Sequence, residues 1–265
     1  AEPKRPVNGS LIYEPKGRAR EYAALACNIY RGCDHGCIYC YAPDATRRTR
    51  QDFAASSIRL GFLGKLEKEA AKYAAVGTTE RILLCFTCDP YQYLDLHEQH
   101  TRRTIEILHG HGLAIQVLTK GGGQALRDLD LFTPRDAFGT TLTLLDNAES
   151  TKWEPRAALP GDRIRTIQRF HQAGIPTWVS LEPVLDPAIA LEIIRRTHPF
   201  VDVFKVGKLN YHPLAQEIDW SNFADCSVRL LKSLGYHQNA DPDSLQPGQF
   251  YVKRDLARYL PISHV

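Results

Sequence analysis

Cys33, Cys37 and Cys40 stand in the segment RGCDHGCIYCY, and this C-x3-C-x2-C spacing carries more chemistry than any other feature of the sequence. Three thiols on one glycine-containing loop can hold three corners of an iron-sulfur cubane, because such clusters are bound by Cys thiolates. Three ligands are one short of four. A 4Fe-4S cluster held this way keeps one iron open, and an open coordination position separates a catalytic metal site from a closed structural one. The same thiols with His35, Cys27 or a distant ligand could instead hold zinc in a non-catalytic, nucleic-acid-binding module. Structural zinc motifs usually bring a second C-x2-C or H-x3-H pair, and this sequence has none. Seven Cys in all, with three of them inside eight residues, suit a metal or cluster in a reducing compartment better than a disulfide framework.

A scaffold must hold that loop. The chain has 265 residues, 43% of them hydrophobic and 24% charged, enough to bury a full core as one domain. A net charge of +3 is too small to be the electrostatic footprint of a nucleic-acid-binding protein. No stretch approaches the roughly 20 apolar residues that span a bilayer, and AEPKRPVNGS has no apolar run after its basic residues. A cytoplasmic protein without a membrane partner is expected.

Short β-branched or aliphatic runs alternate with longer amphipathic ones, the pattern of βα units around a parallel sheet. The strands are expected at 24–30, 81–87, 113–120, 137–145, 175–182, 201–208 and 249–253. Helical spacing links Phe62, Leu66, Ala70 and Tyr73, and again Ile164, Ile167 and Phe170 between Asp162 and Gly174. The fold class read from this is α/β, a partial parallel β/α barrel of about six βα units over 21–265, with 1–20 as an N-terminal extension. The stretch 237–249 reads as a loop. Several strands end in charge: Asp89, Lys120, Asp146, Glu182, Lys208, and Lys253 with Arg254. In a β/α barrel the carboxyl ends of the strands form the active-site face, so charges in register there predict a polar pocket.

With its cysteine spacing and an aromatic residue, Tyr39, before the last Cys, the chain resembles the radical S-adenosylmethionine superfamily. The resemblance implies that the open iron chelates the amino and carboxylate groups of S-adenosylmethionine. It also implies an electron donor of the flavodoxin or ferredoxin type, and reductive cleavage to methionine and a 5′-deoxyadenosyl radical that takes hydrogen from a substrate. Within the superfamily CIYCYA, CFTCDPYQ, VLTKGG, TLTLLD, WEP and FKVGKLNY are similar to the spore photoproduct lyase-like group, the DNA repair photolyase-like proteins. That likeness places the chain among the lyase-like proteins rather than the lyases themselves and implies radical chemistry on a nucleic acid lesion as in spore photoproduct lyase; the same chemistry on a modified nucleotide, peptide or small metabolite is the alternative.

Carried over by position, Lys120 matches a lysine that contacts the cofactor carboxylate, and Thr143 a hydroxyl-bearing residue facing the cofactor. Thr87, Cys88 and Asp89 fall near the cofactor amino group, and Glu182 joins the cofactor-binding set. Tyr39 and Tyr41 match two tyrosines that help return hydrogen to the product radical. The hydrogen-donating Cys of the lyases aligns with Phe86, flanked here by Cys85 and Cys88, the candidate donors. Three apart on a strand, these two would point to opposite faces, so at most one is expected to face the pocket unless the chain bends at Asp89-Pro90. Cys226 and Cys27 read as buried small hydrophobes. Arg47, Arg48 and Arg50, with Tyr91 and Tyr93, either line the pocket rim to grip a nucleic acid strand or form a solvated basic turn.

Overall fold

Aliphatic triplets and quintets too short for helices form the sheet of this protein, for which a computed structural model describes residues 10–260. In chain order the strands are β1 (Ile12–Tyr13), β2 (Leu25–Cys27), β3 (Tyr30–Arg31), β4 (Ser57–Ile58), β5 (Ile82–Leu84), β6 (Ile115–Thr119), β7 (Ala137–Thr141), β8 (Thr177–Leu181), β9 (Val203–Val206), β10 (His237–Gln238) and β11 (Gln249–Val252). Nine of them make one sheet in the order β1-β2-β5-β6-β7-β8-β9-β11-β10, while β3 and β4 form a small antiparallel ribbon. Every pairing in the large sheet is parallel except β1 with β2. Among the described residues no pairing closes β1 onto β10, so the barrel is partial.

Side chains alternate across each strand, and the register separates two cores. Ile82, Ile115, Val117, Phe138, Val179, Phe204 and Phe250 face the helices in the large core. Ala26, Leu83, Ala137 and Trp178 face the concave side in a small one. Trp178 fills that interior because its register partner is Gly139: a Cβ there would lie 2.3 Å from the indole. Its Nε1 donates to Val117 O at 3.1 Å. Below it, at the amino-terminal ends of the strands, lies a cavity of about 590 Å³ lined in part by Gln116, Trp178 and Lys205.

The connecting helices are α1 (Ala42–Ala45), α2 (Arg50–Ala54), α3 (Phe62–Ala75), α4 (Tyr93–Glu98), α5 (His100–Gly110), α6 (Asn147–Trp153), α7 (Pro160–Gln172), α8 (Pro187–Thr197), α9 (Trp220–Ser233) and α10 (Arg254–Ala257). Local chemistry starts several of them. Asp146 accepts Glu149 N at 2.9 Å and Asp186 accepts Ala188 N at 2.7 Å, satisfying amides left free at a helix start; Pro160 and Pro187 occupy first-turn positions where no N–H is needed.

The expected strands are all present but shorter. Four features differ from the sequence reading. Residues 12–13 of the expected extension add strand β1 to the sheet edge, while residues 1–9 lie outside the described part. Gly122–Leu131 forms a 3-10 helix after β6. His237–Gln238, read as loop, pairs with β11. Cys226 is half-exposed on α9 rather than buried, because its place in the helix lies off the face occupied by Phe223, Ala224, Ser227 and Val228.

Candidate active site at the carboxyl ends of the strands

The cysteine loop leaves β3 through Gly32, whose φ of +80° and close approach to α2 both demand glycine: a Cβ would stand 2.2 Å from Phe53 O. That carbonyl accepts Cys33 N at 2.9 Å. Asp34, inside the loop, is spent on structure, since its carboxylate takes Tyr93 N at 3.2 Å and Leu94 N at 3.1 Å at the start of α4. Asp34 N in turn donates to the fully buried Gln92 at 3.0 Å. His35 is buried with Nδ1 3.5 Å from Asp89, and burial holds its pKa low against the pull of that carboxylate. Arg50 spans the far end of the loop, donating to Cys37 O and Cys40 O at 3.3 Å each.

Asp89 knits the ends of β5 and β6 together. One oxygen accepts Tyr91 N at 2.8 Å and Thr119 Oγ1 at 2.6 Å, and the other accepts Lys120 N at 2.7 Å. Lys120 is thereby aimed at the cysteine loop. Its Nζ lies 5.5 Å from the centre of the Tyr39 ring and makes no hydrogen bond or ion pair with any described residue. Burial works against its charge, but Cys37, Glu154 and Asp89 outweigh that, and its pKa rises.

Beneath Tyr39 lies a charged cluster that the sequence reading did not assign. Glu154 is 1% exposed and accepts the Tyr39 hydroxyl, Thr143 Oγ1 at 3.0 Å, and the guanidinium of Arg163, itself 1% exposed. Arg163 also donates to Ala158 O at 2.7 Å and Thr141 O at 3.1 Å. Burial opposes the Glu154 charge, yet Arg163 and Lys120 more than compensate, and its pKa is lowered. Cys37, Tyr39, Lys120 and Thr143 therefore meet around one ion pair.

The second group of predicted residues lies across the loop. β5 stops at Leu84, and Cys85 turns through φ +66°, so strand alternation does not govern the residues beyond Leu84. The condition for opposite faces is therefore not met, and Cys88 is near enough to Cys85 to help burial raise the Cys85 pKa. Cys85 is buried; Cys88 is half-buried, with Sγ 3.5 Å from Tyr30 O. Thr87 is held by its backbone, through Thr87 N to Asn28 Oδ1 at 3.0 Å. Phe86 takes the concave side, its ring 6.1 Å from that of Tyr41. Glu182, facing the same side, accepts the Tyr22 hydroxyl at 2.6 Å and the ammonium of buried Lys253. A Cβ at Gly207 would lie 2.8 Å from that glutamate. Ser180, on β8 two residues before Glu182, is fully buried behind Tyr22. Tyr91, expected on the rim, is instead fully buried, since it packs under the Lys120–Gly121 turn; Tyr93 is 62% exposed.

The donor set around the loop is suited to a polynuclear cluster. Cys33, Cys37 and Cys40 are free thiols, and burial keeps Cys37 protonated up to about 11 when no metal is bound. Among the described residues no three His, Cys, Asp or Glu side chains stand close enough to hold a single metal ion. Cys33, Cys37 and Cys40 would each offer a thiolate to such a cluster. His35, within the same loop, has its Nδ1 turned toward Asp89.

Sequence reasoning missed Glu154 and Arg163, although WEP is among the segments that carry the likeness. Helical periodicity puts Arg163 on the buried face of α7, four residues before Ile167 and seven before Phe170, but a lone arginine there reads as exposed by residue type. For Glu154 the available signal was a carboxylate flanked by Trp153 and Pro155 in a segment otherwise matched to the fold.

Residues 27–201 match the family model described as the radical SAM superfamily. An uncharacterized protein of Methanocaldococcus jannaschii is 23% identical over 214 residues, covering 78% of this chain and 75% of that protein. Spore photoproduct lyase complexed with dinucleoside spore photoproduct shares the fold with a TM-score of 0.66 at 14% identity, covering 92% of this chain and 80% of the lyase. Streptococcus suis SuiB, in a structure bound to S-adenosylmethionine, gives a TM-score of 0.57 at 12% identity over 79% of this chain. This chain spans about half of SuiB, 46% of its length.

Proposed function

Because this chain belongs to the radical SAM superfamily, a family of enzymes that use a 4Fe-4S cluster and S-adenosylmethionine, we propose that Cys33, Cys37 and Cys40 hold that cluster. The cluster, when bound, supplies the electron that cleaves S-adenosylmethionine to methionine and a 5′-deoxyadenosyl radical, which abstracts hydrogen from the substrate. The observation that carries the reading is Lys120. Its ammonium has no hydrogen bond or ion pair among the described residues and stands beside the cysteine loop, over Tyr39, with its backbone N–H held by Asp89; this supports a reading in which it takes the cofactor carboxylate by a charge-assisted hydrogen bond. Thr143, Thr87, Asp89 and Glu182 complete the cofactor wall. Asp89 acts through the residues it holds, since both its oxygens are already engaged.

Tyr39, Tyr41, Cys85 and Cys88 are the candidates for returning hydrogen. Of the two thiols the half-buried Cys88 is the better placed. A nucleic acid lesion is the substrate class we favour, on the likeness to a lyase solved with a dinucleoside photoproduct; SuiB, solved with its precursor peptide, makes a peptide the second reading. No helix among the described residues is long and apolar enough to cross a membrane, and the free cysteines suit the reducing cytoplasm. The test is anaerobic reconstitution, chemical reduction and chromatography for 5′-deoxyadenosine. Slow formation without substrate is expected; fully clustered, reduced protein that binds the cofactor yet forms none with any candidate substrate would overturn the reading.

A further inference from the structure

Cys85 and Cys88 make a C-x2-C pair outside the cysteine loop, and the backbone between them is tightly bent. Cys85 N still donates to Cys27 O at 2.9 Å, as in the sheet, but its φ is +66°. The next two amides, Phe86 N and Thr87 N, then converge on one atom, Asn28 Oδ1, at 2.8 and 3.0 Å. Asn28 is itself anchored, since its Nδ2 donates to the Tyr13 hydroxyl at 2.8 Å. The turn is wrapped around a fixed oxygen, and it brings the Cys88 thiol within hydrogen-bonding reach of the Cys85 thiol.

The two thiols differ in access. Cys85 is 4% exposed and burial raises its pKa, whereas Cys88 is half-buried. Cys88 also stands close enough to Cys33 of the cysteine loop to help raise that thiol's pKa. The third thiol nearby, Cys27, is fully buried in the large core, and burial pushes its pKa far up. An accessible Cys beside a buried one at this spacing is the arrangement of an attacking and a resolving thiol.

We infer that Cys85 and Cys88 form a dithiol–disulfide couple whose oxidant is a small-molecule disulfide. The Cys88 thiolate attacks one sulfur of the oxidant, forming a mixed disulfide and releasing a thiolate that takes up the proton Cys88 lost. Cys85 then loses its proton, attacks the Cys88 sulfur and expels the second thiol of the oxidant. One S–S bond forms in the chain, one breaks in the oxidant, and two electrons and two protons leave the protein. The consequence for catalysis rests on the hydrogen-return reading above: the oxidised pair has no S–H to give, so the couple sets whether Cys88 can act. In a reducing compartment such a disulfide is a transient or sensing one rather than a staple.

The experiment incubates reconstituted holoenzyme anaerobically with 2-hydroxyethyl disulfide and 2-mercaptoethanol over a series of ratios. After acid quenching, the remaining thiols are blocked with N-ethylmaleimide in denaturant and the protein is mapped by mass spectrometry. Tryptic cleavage after Arg81 and Arg102 yields one peptide that holds Cys85 and Cys88 and no other Cys, while Cys27 falls on another. At oxidising ratios this peptide should lack two hydrogens and take no maleimide, and excess 2-mercaptoethanol should restore both sites. Cys85→Ser should stop at the mercaptoethanol adduct on Cys88. Wild type that also stops at that adduct, a link from Cys88 to Cys27, or maleimide on both thiols at every ratio overturns the inference. Iron analysis of the same samples keeps the two readings apart: protein that forms the disulfide yet takes up no iron overturns the cluster reading and leaves the couple standing.

Discussion

Glu154→Gln should be among the most costly single changes in this protein. Glu154 and Arg163 are each 1% exposed, and Arg163 cannot move to water when its partner is neutralised. Removing one member of a buried ion pair costs about 3–5 kcal/mol, because the other is left charged and uncompensated. For a chain of this size that corresponds to a fall in Tm of about 6–20 °C. The assay is urea and thermal unfolding of the cluster-free protein for Glu154→Gln, Arg163→Met and the double variant. In the double variant the new amide oxygen still accepts from Tyr39 and Thr143, and the uncompensated guanidinium is gone, so at least half of the loss should be regained. The pH dependence has a definite sign. The folded-state pKa of Glu154 is depressed, chiefly by Arg163 against the effect of burial; its stabilisation is therefore present above the usual carboxylate pKa and is lost as pH falls through the folded value. The gap between wild type and Glu154→Gln should narrow in acid. Strictly additive single and double effects, or a gap that widens in acid, would refute the reasoning.

Ala at Cys33, Cys37 or Cys40 should abolish most cluster absorption after anaerobic reconstitution, and full iron retention in any of the three would remove that Cys from the ligand set. Lys120→Ala should leave the cluster intact but raise the Kd for S-adenosylmethionine by about 10-fold to 150-fold, from a charged hydrogen bond worth roughly 1.5–3 kcal/mol. Calorimetric titration checks this, and Lys120→Arg should rescue only in part because its fork changes the reach. Buried Lys205 has its pKa lowered to about 7, mainly by burial and then by Lys253. With the folded pKa below the unfolded one, stability should rise with pH above 7. Between pH 7 and pH 9 wild type should gain about 2–3 kcal/mol on Lys205→Met, measured by urea unfolding; a flat difference would contradict the burial argument.

The parallel sheet was readable because runs such as ILL at 82–84 and TWVSL at 177–181 are buried on both faces and need no alternation. The strands were overextended because polar residues after each run, Lys120 after Thr119 for example, leave the ladder to serve the pocket. Position in the chain was enough to bring Lys120 and Thr143 to one place. It could not reveal that Cys85 turns through positive φ, since a single backbone reversal overrides the period of two on which the opposite-face expectation rested. Tyr91 was misjudged for a related reason: a Tyr after Asp-Pro reads as surface, and only the tertiary approach of Gly121, whose Cβ would lie 2.5 Å from Tyr91 O, encloses it. Glu154 and Arg163 recognise each other across a loop, a pairing that no local pattern encodes.

Gly139 and Trp178 share one volume across neighbouring strands, and this binds their histories. A methyl group gained at 139 has no room while the indole remains, and an indole traded for a smaller ring leaves a void above the lower cavity that glycine cannot fill. Neither position can drift alone. Descendants of this sequence should therefore change both or neither, passing through an intermediate that is overpacked or hollow. Where a pair has escaped together, the floor of the barrel will have moved, and with it the depth to which a guest entering from the cysteine side can descend.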